Sequence, residues 1–138
     1  MSCYAAIDTN VLVSALLSTC DESATVQVLQ RIFSGEIVPL VSKAILAEYD
    51  AVLRRPKFNF PEGLVDDLLD SLEELACYLD AAPSRIQMND PKDAPFYDIV
   101  VSEQIVNAKL VTGNVRHFPK DLFVVTPRQM IDILDGKQ

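Results

Sequence analysis

Three carboxylates interrupt the apolar patterning of the chain: Asp8 at the end of an apolar run, Glu48 within a helical pattern and Asp93 at the start of one. Asp8 follows Tyr4-Ala5-Ala6-Ile7 directly and opens Asp8-Thr9-Asn10, after which apolar residues resume. Glu48 lies one and a half turns into Ser42-Lys43-Ala44-Ile45-Leu46-Ala47-Glu48-Tyr49, flanked by residues expected to face a core. Asp90-Pro91-Lys92-Asp93 puts Asp93 at the start of a helix expected over Phe96 to Asn107. Each acid alone also has a structural reading: Asp8 and Asp93 as helix caps, Glu48 as a solvated helical glutamate.

Together they suggest a site. In an open parallel sheet, ligands bind outside the carboxyl ends of the strands, where strand-end and helix-start positions share one crevice. Three anions meeting there repel one another unless a proton or a cation lies between them. An all-oxygen set favours a hard ion such as Mg²⁺ or Mn²⁺ over zinc, and such an ion binds phosphate and lowers the pKa of an attacking water. Phosphodiester hydrolysis is the chemistry this predicts. A further segment, Thr112-Gly113-Asn114-Val115-Arg116-His117, offers Asn114 to orient water and His117, the only histidine, to contact phosphate or assist proton transfer. His117 has a surface role as its alternative, and Gly113 either lets backbone approach a ligand or simply turns the chain.

The elements that must position these residues follow from periodicity. Continuous apolar runs at 4–7, 37–41, 108–111 and 122–125, with a weaker one at 77–79, read as buried strands. Between them the spacing switches to three and four: Val26, Leu29, Ile32 and Phe33; Ile45, Leu46, Tyr49, Val52 and Leu53; Leu64, Leu68, Leu69, Leu72 and Leu75; Phe96, Ile99, Val100 and Ile105. Pro127 is placed to open a last helix. Buried strands alternating with helices predict an α/β fold, a parallel sheet covered on both faces. Ala82-Pro83-Ser84 reads as a turn between elements.

Composition bounds the rest. At 138 residues and 49% hydrophobic, one domain over 1–138 is expected. No run approaches the roughly 18 apolar residues of a membrane span, and no secretory leader opens the chain, so a cytoplasmic protein is expected. The three cysteines are scattered and read as reduced thiols. Twenty acidic against twelve basic side chains give a charge of −8, which argues against a broad nonspecific nucleic-acid face. Six of the acids, from Glu62 to Glu74, crowd one segment, and elsewhere the balance is closer to even.

The chain resembles PIN-domain proteins, in the bacterial branch that supplies toxin components of toxin–antitoxin pairs. The matching stretches are Asp8 to Leu16, Val41 to Tyr49 with Leu53-Arg54-Arg55-Pro56-Lys57-Phe58, Asp90 to Asp93 with Phe96, and Leu110 to Asn114 with His117-Phe118-Pro119. They cover nearly the whole chain in the right order. The resemblance implies a three-layer α/β/α sandwich on a five-stranded parallel sheet and a Mg²⁺- or Mn²⁺-dependent endoribonuclease. Asp8, Glu48 and Asp93 are the metal ligands it carries over, and Asp90 and Asp98 are supporting or surface acids. Many relatives have a fourth acid where this chain has Asn114; a neutral Asn can still hold a water, so one-metal chemistry survives. Asn10 and Ser14 then support the site, and Ser42 caps a helix or bonds a carboxylate. Arg54, Arg55 and Lys57, with Lys92, Arg116 and Lys120, hold an RNA backbone or are solvated surface charges. The implied partners are RNA, a cognate antitoxin inserting a basic side chain among the carboxylates, and a second copy in a homodimer.

Two other readings compete. A haloacid-dehalogenase-type phosphohydrolase also begins with a strand-end Asp but normally has a second acid two residues on, where this chain has Asn10. A catalytically weakened PIN-like domain would bind RNA or protein without cutting; Asn114 favours it, and retention of Asp8, Glu48 and Asp93 opposes it.

Overall fold

The apolar runs pair side by side. In the computed structural model, which describes residues 2–83, 86, 88 and 90–137, the strands are β1 (Cys3–Ile7), β2 (Ile37–Val41), β3 (Cys77–Tyr78), β4 (Lys109–Val111) and β5 (Val124–Val125). They form one parallel sheet in the order β3-β2-β1-β4-β5. Ala5, Ala6, Leu40, Leu110 and Val111 in the three central strands are fully buried, which is why these strands lack alternation. The chain leaves β1 to build β2 and β3 on one side and returns to build β4 and β5 on the other. The switch point lies between β1 and β4, in register through Ile7 and Val111, where a parallel sheet opens a crevice.

Among the described residues, six helices complete an α/β/α sandwich: α1 (Thr9–Leu17), α2 (Ala24–Phe33), α3 (Lys43–Leu53), α4 (Glu62–Leu75), α5 (Ala94–Ser102) and α6 (Pro127–Leu134). Their starts are chemically marked. Ser23 accepts from the Val26 amide, Ser42 from the Ile45 amide, and Thr126 and Gln129 close a reciprocal capping box behind Pro127. Helix α2 packs on α1 and α6, α3 on α4 and α5, and α5 lies along β1, β2 and β4. Ile32, Ile45, Leu53, Leu72 and Ile99 are among the fully buried side chains, each contributing about 1.5–3 kcal/mol by leaving water.

The structure corrects several expected boundaries. Helix α1, absent from the periodic segments, begins directly after Asp8. Helix α5 ends at Ser102 rather than near Asn107; a 3₁₀ turn over Gln104–Val106 follows, and Asn107 takes a left-handed conformation at φ 56°. Strand β5 covers only Val124–Val125, with Leu122 99% exposed, and β3 stops at Tyr78. On α4 the core face is Val65, Leu68 and Leu72, while Leu64 and Leu75 are exposed. Ser84 of the expected turn and the Ile105 side chain lie outside the described residues. The three cysteines are free. Among the described residues no helix is long and apolar enough to cross a membrane.

Candidate active site

Asp8 stands at the switch point, in the N-cap position of α1, yet its side chain does not cap that helix. Its Oδ2 instead receives the Thr112 hydroxyl at 2.7 Å and the Asn10 amide at 3.2 Å. The Thr112 oxygen in turn accepts the Asn114 N–H at 3.0 Å, and the Asn10 carbonyl oxygen accepts the Gly113 N–H at 3.1 Å. These four bonds tie the ends of β1 and β4 together and hold Asn114 beside Asp8. Glycine is not required at 113, since an added Cβ would meet Asn10 at an ordinary 3.5 Å.

The other acids arrive from two elements. Glu48 is half-buried on α3. Asp93 closes a 3₁₀ turn, Pro91–Asp93, at the N-cap position of α5 without a capping bond, while Asp90 caps that turn by accepting the Lys92 N–H at 3.0 Å. Asp8, Glu48, Asp90 and Asp93 line a single open cleft of about 530 Å³, together with Thr9, Asn10, Ser14, Arg55, Lys92, Asn114 and His117. Val13, Leu17, Val52 and Phe58 complete it.

Burial raises the pKa of two of these carboxyls, and at Asp93 the neighbouring acids add to it. The Asp93 carboxyl is pushed up to about 6, first by burial, then by the charges of Asp8, Asp90 and Glu48, against a smaller downward pull from His117. Asp8 is also raised by burial, although the Thr112 and Thr9 bonds and His117 oppose the shift. Several carboxylates lining one cleft, one of them half-buried with its pKa raised to about 6, fit a hard divalent cation, as does their all-oxygen chemistry. Among the described residues, no group of three or more acidic, histidine or cysteine side chains is arranged to hold a metal ion.

A family model for the PIN domain matches residues 4–116, from β1 through the turn that carries Arg116. The chain belongs to the PIN-domain family. PIN domains are nucleases as a class and typically use divalent metals, so membership supports a hydrolase of nucleic acids. No curated protein matches the chain at a significant level.

This PIN domain gathers some of the expected site residues and disperses others. Asp8, Glu48, Asp93, Asn114, Asn10, Arg55, Lys92 and His117 share the cleft. Ser42 does not line it; the hydroxyl caps α3 and borders a separate cavity with Asp98. Arg54 points elsewhere, its guanidinium bonded to Asp50 at 2.7 Å and to Asp66 at 2.5 Å. Arg116 and Lys120 border another cavity, beside Phe118 and Leu122. Asp90, expected as a supporting or surface acid, lines the cleft as a fourth acid. Two contributors escaped the sequence reading. Thr112 looked like a strand terminus, although a hydroxyl one residue past a buried strand end is a recognisable signal. Phe58 lines the cleft as an aromatic wall, and only its place after two arginines and a lysine hinted at that.

Proposed function

We propose that this PIN domain, as one unit over residues 1–138, is a divalent-metal-dependent endoribonuclease and the toxin of a toxin–antitoxin pair. The observation that carries the reading is the meeting of Asp8, Glu48 and Asp93, remote in sequence, at one cleft where burial and then the neighbouring acids push the Asp93 carboxyl up to about 6. Asp8, Glu48 and Asp93 would hold Mg²⁺ or Mn²⁺, and the bound ion would supply Lewis-acid polarisation of the phosphate and activation of water. Asn114, whose backbone N–H bonds Thr112, would use its side-chain amide to orient the attacking water. Arg55 and Lys92, lining the cleft, would neutralise substrate phosphates, and His117, lining it too, would protonate the departing oxygen. Asp90 adds negative charge to the cation seat. A cognate antitoxin would place a basic side chain in the same acidic cleft, in competition with the ion.

The test is cleavage of single-stranded and structured RNA with Mn²⁺, Mg²⁺ or EDTA, comparing the parent with Asp8→Asn and Asp93→Asn. Cutting that requires the ion and is lost in both variants supports the reading; cutting that persists unchanged in both overturns the assignment. Asn114, neutral where many relatives carry an acid, favours a second reading, a weakened domain that binds RNA or protein. RNA binding with no cutting under any ion would favour that reading.

A further inference from the structure

The cleft has two unlike walls. Opposite in character to the carboxylates is a segment of Arg55 and the 3₁₀ turn Pro56–Phe58, closed by Asn59 in the left-handed conformation at φ 52°. That reversal brings Phe60 against Phe58, with ring centroids 5.5 Å apart and planes 14° from parallel. Both rings are half-buried: Phe60 packs against the core, and Phe58 lines the cleft. The Phe58 ring is backed by a second ring and stands beside a cation, at the rim of the carboxylate cleft.

We propose that Phe58, seated on Phe60, is the stacking platform for one nucleobase of the substrate, the base next to the phosphate held at the carboxylates. The inference rests on the nuclease reading and adds a base contact to it. The cleft's volume of about 530 Å³ lies within the range that takes a small ligand, and so one nucleotide. Aromatic side chains stack on any base because every base has a π face, and Arg55 alongside pairs with the adjoining phosphate. Lys57 Nζ lies 5.0 Å from the Phe58 centroid. A cation over an exposed ring is held more weakly than a stacked base, so the flexible lysine yields the ring and moves to the backbone. Only an unpaired base can present its face to the ring, so the platform selects single-stranded segments.

The chain has no tryptophan, so Phe58→Trp puts a unique fluorophore at the platform. In an Asp93→Asn background, where the strand is bound and not cut, a short single-stranded oligoribonucleotide is expected to quench its emission. The quench should disappear when one particular position is made abasic, and a duplex should not produce it. Phe58→Ala is expected to weaken binding about 5- to 150-fold, the worth of one stacked base. Phe58→Leu, which keeps the contact with Phe60, should lose the same affinity, and Phe58→Trp should retain it. Equal quenching by strands abasic at each position, or parental affinity in Phe58→Leu while the Asp93-containing enzyme still cuts RNA, overturns the platform and leaves the nuclease reading standing. No binding of any strand together with no cutting under Mn²⁺ overturns both.

Discussion

The Tyr49 hydroxyl donates to the Ile7 carbonyl at 2.5 Å, a buried bond joining residues 42 apart in sequence. Ile7 precedes Asp8, and Tyr49 follows Glu48. The Tyr49 ring also meets that of Phe96, three residues after Asp93, with centroids 5.9 Å apart. One side chain therefore connects the carriers of all three acids. Burial, reinforced by the charge of Asp8, raises the Tyr49 pKa, so the hydroxyl remains a donor at any working pH.

Tyr49→Phe deletes that donor while keeping the ring. Denaturant unfolding is expected to show a loss of about 1–2 kcal/mol, the cost of a buried hydrogen bond left half-made. Loosening the registry of Asp8 and Glu48 should also lower metal-dependent cleavage about 10-fold or more, as supporting partners of ligands do. Unchanged cleavage in a destabilised variant would show that Tyr49 supports the fold alone.

Thr112 makes a different kind of tie, donating to Asp8 and accepting from Asn114. Thr112→Val preserves shape but removes both bonds, leaving a buried carboxylate with one donor fewer. Cleavage and affinity for Mn²⁺, read by calorimetry, are expected to fall about 10- to 100-fold, and Thr112→Ser should restore most of the loss. Equal behaviour of the Val and Ser variants would refute this role.

The pH dependence has a definite sign. Because the Asp93 carboxyl is raised to about 6, its contribution to the stability of the metal-free protein is full at pH below its unfolded value near 4 and is lost as pH rises through about 6. The shift at Asp8 acts in the same sense. Melting of the metal-free protein should therefore show a decline across that window that Asp93→Asn reduces. Added Mn²⁺ should stabilise the parent more at pH 7.5 than at pH 5, since the ligands must lose their protons to bind it. A metal-free decline of the same size in Asp93→Asn would disconnect it from this carboxyl.

The three acids were legible because each interrupts a strong hydrophobic pattern: Asp8 ends a buried strand, Glu48 sits among core-facing residues, and Asp93 opens a helix. The sheet was legible for the same reason, its central strands being apolar on both faces. Helix α1 was not. Val11, Leu12 and Ala15 are buried, and the helix packs on both α2 and α3, so its apolar residues crowd without a clean period. The end of α5 was hidden because Ile105 continues the helical spacing into a 3₁₀ turn. Leu122 misled as strand material, since nothing local distinguishes an exposed leucine from a buried one. Cleft membership was harder still. Arg54 and Arg55 are adjacent and chemically identical, and only the helix end decides which one meets Asp50 and Asp66.

That division of labour between the two arginines gives the last prediction. Arg54 is committed to Asp50 and Asp66, one pair within α3 and the other reaching α4, so its charge is largely answered before any ligand arrives. Arg55, one residue on, lines the carboxylate cleft. A cation that meets a phosphate releases condensed counterions, so its removal weakens binding most at low salt and lowers the log–log salt slope by about 0.7 for a single strand. Arg55→Ala is expected to produce that change in fluorescence-anisotropy titrations of labelled RNA at several salt concentrations, with similar loss across sequences. Arg54→Ala should leave the slope intact and cleavage within about twofold of the parent, since an exposed ion-paired arginine offers little to a phosphate. The reverse pattern, a slope that drops for Arg54→Ala and holds for Arg55→Ala, would mean that RNA crosses the α3–α4 edge and not the Phe58 side of the cleft.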